Sequence, residues 1–77
     1  VRRRTKVQAE REVWIGGHSE GLAQIEGRLR STDAAAVDAR LSALAGTVCP
    51  NDPRTAAQRR ADALGALAAG ATGLGCE

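Results

Sequence analysis

Few side chains in this sequence could do chemistry, and they lie far apart. His18 is the only histidine, in the run Gly16-Gly17-His18-Ser19-Glu20-Gly21. A general base or metal ligand there would need partners, and neither Cys49 nor Cys76 is near it in sequence, so it reads as a solvated loop residue. Gly16-Gly17 resembles a phosphate-binding loop only loosely: no Gly-Lys-Ser/Thr ending follows, and the pair links two presumed strands rather than a strand and a helix. It reads as a turn. Two thiols 27 positions apart do not make a disulfide framework, and free thiols are the expectation. Cys49, beside Pro50, reads as a small apolar plug. Cys76 alone is one ligand where a structural zinc site takes four.

The densest polar cluster is Asp52-Pro53-Arg54-Thr55 followed by Gln58-Arg59-Arg60-Ala61-Asp62. Carboxylate catalysis there would require a metal with more ligands than the segment offers. Turn formation and helix capping by Asp52, Pro53, Arg54 and Asp62 is the simpler chemistry. Asp52 with Arg54 would tie the turn, and Arg59 with Asp62, three apart on a helix, would pair at a few tenths of a kcal/mol. Arg59 and Arg60 are also a candidate anion-binding edge. The run Arg2, Arg3, Arg4 and Lys6 is the second DNA-contact candidate. Such a run tracks phosphates with steep salt dependence and carries no sequence information. A frayed, solvated terminus is its plain alternative. Trp14 could stack on a base, but a lone aromatic in a strand reads more simply as the anchor of a hairpin.

The elements that must position these residues have little material to work with. Among 77 residues there are 15 bulky apolar side chains (five Val, two Ile, seven Leu, one Trp) beside 16 Ala. A domain of this size buries only about 60% of the surface its unfolded chain exposes. One thin domain is the ceiling, and a self-contained enzyme with a deep pocket is not the expectation for it. No stretch of ~18 apolar residues exists to cross a membrane, and no apolar segment follows the charged start as in a secretory signal. The expected compartment is the cytoplasm. Net charge is +2, too small to announce a nucleic-acid binder, although residues 1–30 hold seven Lys/Arg against four Glu.

After a basic N-terminal segment (1–12), Val13-Trp14-Ile15 reads as a short strand and Leu22–Leu29 alternates with period two, predicting a β-hairpin over 13–29. Such a hairpin is marginal in water without a covering layer. A helix is predicted over 32–48, opened by a Ser31 or Thr32 cap. Val37, Leu41, Leu44 and Val48 form one stripe on it. A second helix is predicted over 53–69, with Asp52 as N-cap, Pro53 at its first position and Gly70 as its stop. Its inward face is read as Ala57, Ala61, Leu64 and Leu67 or Ala68, followed by a loop over 70–77. The fold class is α+β, mostly helical: a β-hairpin followed by an antiparallel helical hairpin on a small Ala-rich core.

Two phrases, GLAQIEGRLRSTDAAAVDARLSALA and DPRTAAQRRADALGALAAGATGLGCE, closely resemble the 13E12 repeat family of mycobacteria and other actinobacteria. In those proteins a domain of unknown function, number 222, commonly precedes an HNH endonuclease domain. The match runs from about Arg11 to Glu77 and is most specific at Asp52-Pro53-Arg54-Thr55 with Gln58 to Leu64. The resemblance implies a mobile-element or restriction-like context. It implies that this chain is a fragment of the family's N-terminal domain, with further cysteines beyond Glu77 that could complete a metal site with Cys76. Catalysis does not carry across. HNH nucleases use His and Asn around a divalent metal on a ββα unit, and His18 and Asn51 do not match that motif. No cofactor is expected in this chain, and a divalent metal only in the HNH domain of a longer parent.

The leading expectation is a non-catalytic accessory domain of an HNH endonuclease that helps position DNA, with DNA and the nuclease domain as partners. The competing expectations are a protein-interaction or self-association module, and a truncated remnant without activity of its own. An independent enzyme is set aside for want of a nucleophile–base pair or a ligand cluster.

Overall fold

A computed structural model describes residues 10–76. The elements run β1 (Glu12–Ser19), β2 (Leu22–Arg28), α1 (Ser31–Ala45) and α2 (Ala56–Ala68), a small α+β fold. The chain divides into two compact units, Val1–Ala34 with the hairpin and Ala35–Glu77 with most of α1, all of α2 and the tail.

The hairpin is antiparallel, with Glu12 opposite Arg28, Trp14 opposite Glu26 and Ile15 opposite Ile25. β1 is longer at the turn than the sequence predicts, since Gly16 to Ser19, read as loop, belong to it, while β2 begins at Leu22 as expected. Two devices make this possible. Glu20 and Gly21 both have positive φ (53° and 80°), the signature of the two-residue turn whose twist matches the flanking strands. Between Gly16 and Ser19 the register shifts, and Gly17 there has φ 63°, so one extra residue is absorbed as a bulge. The six-residue turn-former cluster is therefore a bulge plus a tight turn, not an open loop. Gly27 has a separate reason: a Cβ there would collide with the Glu12 carbonyl oxygen and come within 3.0 Å of Val13 Cα.

Alternation sorts the hairpin into two faces. Val13, Ile15, Ile25 and Gly27 share one; Glu12, Trp14, Gly16, Gln24, Glu26 and Arg28 share the other. On the first, Val13, Ile15 and Ile25 are 57%, 62% and 51% exposed. Trp14, expected as a core anchor, is half exposed on the second face.

In the helical unit α1 carries three of the four stripe residues, with Leu44 buried and Val37 and Leu41 part-buried; Val48, also part-buried, lies past its end. The Ala34 N–H donates to the Arg30 carbonyl at 2.9 Å, so Arg30 holds the N-cap position, and Ser31 and Thr32, the expected alternatives for the cap, are already helical. The helix stops at Ala45 rather than 48. Gly46 and Thr47 turn out of it, and the Thr47 hydroxyl donates to the Leu44 carbonyl at 2.6 Å.

Helix α2 starts three residues later than predicted. Thr55 is its N-cap: its hydroxyl accepts from the Gln58 N–H at 3.1 Å, and its own N–H donates to the Gln58 side chain at 2.8 Å. This reciprocal pair is a capping box. Asp52 cannot cap because its carboxylate is taken up by Arg54. The far end closes as predicted around Gly70 (φ 77°), with Gly70 N–H donating to Leu67 and Ala71 N–H to Ala66, a Schellman motif. The inward face differs from the prediction in its alanines. Leu64 and Leu67 are part-buried, as expected, but Ala57, Ala61 and Ala68 are exposed, while Ala63 is fully buried and Arg59 and Arg60 are part-buried. Alanine occurs on every side of this helix, so spacing alone does not say which alanines turn inward.

Candidate functional site: the Asp52–Arg54 clamp

The link between the helices begins with a turn. Asp52 N–H donates to the Cys49 carbonyl at 3.0 Å, with Pro50 at the second position, where its fixed φ fits. That turn aims the Asp52 side chain inward, fully buried. Arg54, two residues on, wraps the carboxylate: its backbone N–H and Nε donate to Oδ1 at 2.9 and 3.1 Å, and Nη2 donates to Oδ2 at 2.7 Å. A fork meeting both carboxylate oxygens in a dry setting is the strong form of this contact.

Arg54 reaches further. Nη1 donates to Asp62 Oδ2 on α2 at 2.9 Å, and Nη2 also donates to the Gly75 carbonyl in the tail. Asp62 therefore pairs with Arg54 and not, as the spacing predicts, with Arg59. Arg59 turns back instead, donating from Nη2 to the Asp52 carbonyl at 3.2 Å, with its Nε 3.8 Å from Asp52 Oδ1. That Nε is buried without a hydrogen-bond partner. Arg60 leaves α2 on the side of α1, donating to Asp38 Oδ1 at 2.8 Å and to Ser42 Oγ at 3.2 Å.

The tail is fastened at three points. Leu74 N–H donates to Thr47 Oγ1 at 2.7 Å, Gly75 accepts from Arg54, and Cys76 is disulfide-bonded to Cys49 with Cα atoms 5.5 Å apart. Neither cysteine is free, which corrects the expectation of free thiols and of Cys49 as a plug. The link and the tail close on each other, bringing together two positions that are 27 apart in sequence. The sequence reading gives Thr47, Asp38 and Gly75 no part in a site, and names Thr55 and Gln58 only as members of the polar cluster. Only Thr55 with Gln58 carried a local signal, the Thr-x-x-Gln spacing.

Chemically this is a neutral, mutually bonded cluster: Asp52 and Asp62 balance Arg54 and Arg59. The buried Asp52 carboxylate faces Arg54 and Arg59. Among the described residues no group of three or more His, Cys, Asp or Glu could hold a metal ion. Of the DNA-contact candidates, Arg59 and Arg60 make the internal contacts given above, while Arg2, Arg3, Arg4 and Lys6 lie outside the described residues. Among the described residues no helix is long and apolar enough to cross a membrane.

Comparison with known proteins places this sequence in a family. The chain is 58% identical to an uncharacterized protein in the est 3′ region of Mycobacterium tuberculosis, across 96% of this chain and 22% of that protein. It is 58% identical to the uncharacterized protein Rv3776 of strain ATCC 25618 / H37Rv, of which it covers 15%. It is 56% identical to the uncharacterized protein Rv2100 of that strain, of which it covers 14%. The chain thus spans less than a quarter of the length of these relatives. No solved structure matches. The model of a domain of unknown function, DUF222, matches residues 1–77, and the chain belongs to the DUF222 family.

Proposed function

We propose that this chain is a non-catalytic accessory segment that serves as a docking element, with the helical unit as a self-locked base and the apolar face of the hairpin as the contact surface. The observation that carries the reading is the exposure of Val13, Ile15 and Ile25 together on one face. A two-stranded hairpin needs a backing layer to be stable, and three large side chains on one face supply the apolar area for it. Relatives several times longer than this chain have the material to provide that layer. The HNH endonuclease domain of the resembled proteins is the proposed neighbour, and any divalent metal belongs there.

The test replaces Ile15 and Ile25 with Ser, here and at the matching positions of full-length Rv2100, since two lysines would face each other across the strands. Burying each isoleucine is worth about 1.5–3 kcal/mol, so the double change is expected to destabilise the long protein by about 3–6 kcal/mol. In the 77-residue chain the expected change is about 1 kcal/mol or less, the worth of the lost cross-strand pair. Equal effects in both contexts would overturn the reading.

A second reading, DNA positioning, is supported by the basic excess over residues 1–30. It requires duplex affinity that falls with salt and a salt slope that drops by roughly 0.9 for each base removed among Arg2, Arg3, Arg4 and Lys6. An unchanged slope would remove it. The cytoplasm remains the proposed compartment, but such bonds are rare in a reducing cytosol. The redox state of Cys49 and Cys76 in cells decides that part of the reading.

A further inference from the structure

The opposite face of the hairpin has a different chemistry. Trp14 lies against Gly16: a Cβ built on Gly16 would come within 2.8 Å of Trp14 Cζ2. Only a glycine at that position lets the indole settle against the strand. The residue is nonetheless half exposed, so the ring presents surface to solvent rather than to a core. It forms part of an open cleft of about 340 Å³ lined by Glu12, Trp14, Glu26, Gly27 and Arg28.

The charges around the ring are unequal. Arg28 is paired with Glu10, Nη1 to Oε1 at 3.2 Å. Glu12, directly across from Arg28, and Glu26, directly across from Trp14, make no ion pair with any described residue. The cleft therefore combines an exposed indole with two carboxylates that form no ion pair among the described residues, one of them opposite the ring. An aromatic surface attracts a cation through its quadrupole, and neighbouring carboxylates add the counter-charge.

We propose that the Trp14 face binds a cationic side chain presented by a partner protein, an arginine in preference to a lysine. Guanidinium is planar, stacks on aromatic rings and meets a carboxylate through a fork, whereas ammonium is compact and strongly hydrated. The arginine stacks on the indole, with Glu12 and Glu26 accepting its N–H donors. This site uses the face opposite Val13, Ile15 and Ile25 and stands whether or not the apolar face docks.

Trp14 is the only tryptophan and the chain has no tyrosine, so intrinsic fluorescence of the intact chain reports on this ring alone. The probe is a capped pentapeptide with two arginines alternating with glycines. Its lysine and glutamate counterparts and a short oligothymidylate serve as comparisons. The expected result is a saturable fluorescence change with the arginine peptide, weaker binding of the lysine peptide and none of the glutamate peptide. Glu12→Gln with Glu26→Gln is expected to weaken arginine binding roughly three- to tenfold, with the circular dichroism spectrum unchanged. Gly16→Ala, which displaces the ring, is expected to shift the emission of the free chain and weaken binding as well. No saturable change, or an arginine response untouched by loss of both carboxylates, would overturn the proposal. So would tighter binding of the oligothymidylate, which would assign base stacking instead.

Discussion

Arg54 commits Nε, Nη1 and Nη2 to the turn, to helix α2 and to the tail, with its side chain 9% exposed. Removing one partner of a buried pair strands the other, at about 3–5 kcal/mol. A folded unit of some 43 residues has only about 2–6 kcal/mol of stability in total. Asp52→Ala is therefore expected to abolish the cooperative helical melt, as followed by circular dichroism. Thr55→Ala, which removes only the cap, is expected to lower stability by about 1 kcal/mol and leave the melt cooperative. Equal effects would mean that the clamp is no more than a surface pair. Asp52 with Arg54 was legible in the sequence because two residues around a proline meet locally. The bonds from Arg54 to Asp62 and Gly75 were not, because they depend on how α2 and the tail return to the link. Arg59 looked the better partner for Asp62 only because helical spacing was the sole geometry available.

At the scale of elements, the residue patterns located both strands and both helices, while their ends moved by up to four residues. The ends depend on which side chain takes which orphan backbone group: Thr55 displaced Asp52 as a cap because Asp52 was already occupied. The turn of the hairpin was hidden because bulge and turn residues share one composition. Glu20 sits at φ 53°, a region that asparagine tolerates far better. Glu20→Asn is expected to slow exchange of the β1 and β2 amides several-fold and leave those of α2 unchanged. Gly27→Ala, which drives a methyl into the Glu12 carbonyl, is expected to abolish the hairpin's protection altogether. The phase of α2 is the other instance of ambiguity: with alanine all round, Arg60 bonding to Asp38 and Ser42 accompanies the burial of Ala63 in place of Ala57 and Ala61.

For the whole molecule, the Cys49–Cys76 bond decides how much of the helical unit survives alone. Closing a loop of 27 residues stabilises by roughly 3–4 kcal/mol in the chain-entropy account. Reduction is expected to lower the unfolding midpoint of α1 and α2 together and to leave the fluorescence of Trp14 in the hairpin unchanged. Simultaneous change of both signals would show that the two units unfold as one. The pairing escaped the sequence because two cysteines carry no spacing signature; the Thr47 and Arg54 contacts to Leu74 and Gly75 are what hold the tail beside the link.

The central claim is that the helical unit is locked by its own bonds while the hairpin lacks a backing layer of its own. Residue-resolved amide exchange on the oxidised chain tests it directly, since each unit reports its own opening free energy. The account expects the amides of Leu44 and Ala63 to be the slowest, and those of Trp14, Ile15 and Ile25 to exchange at least roughly 100-fold faster. Equal protection in the two units would contradict it, because the hairpin would then be held as firmly as the clamp and would have no apolar face left to offer.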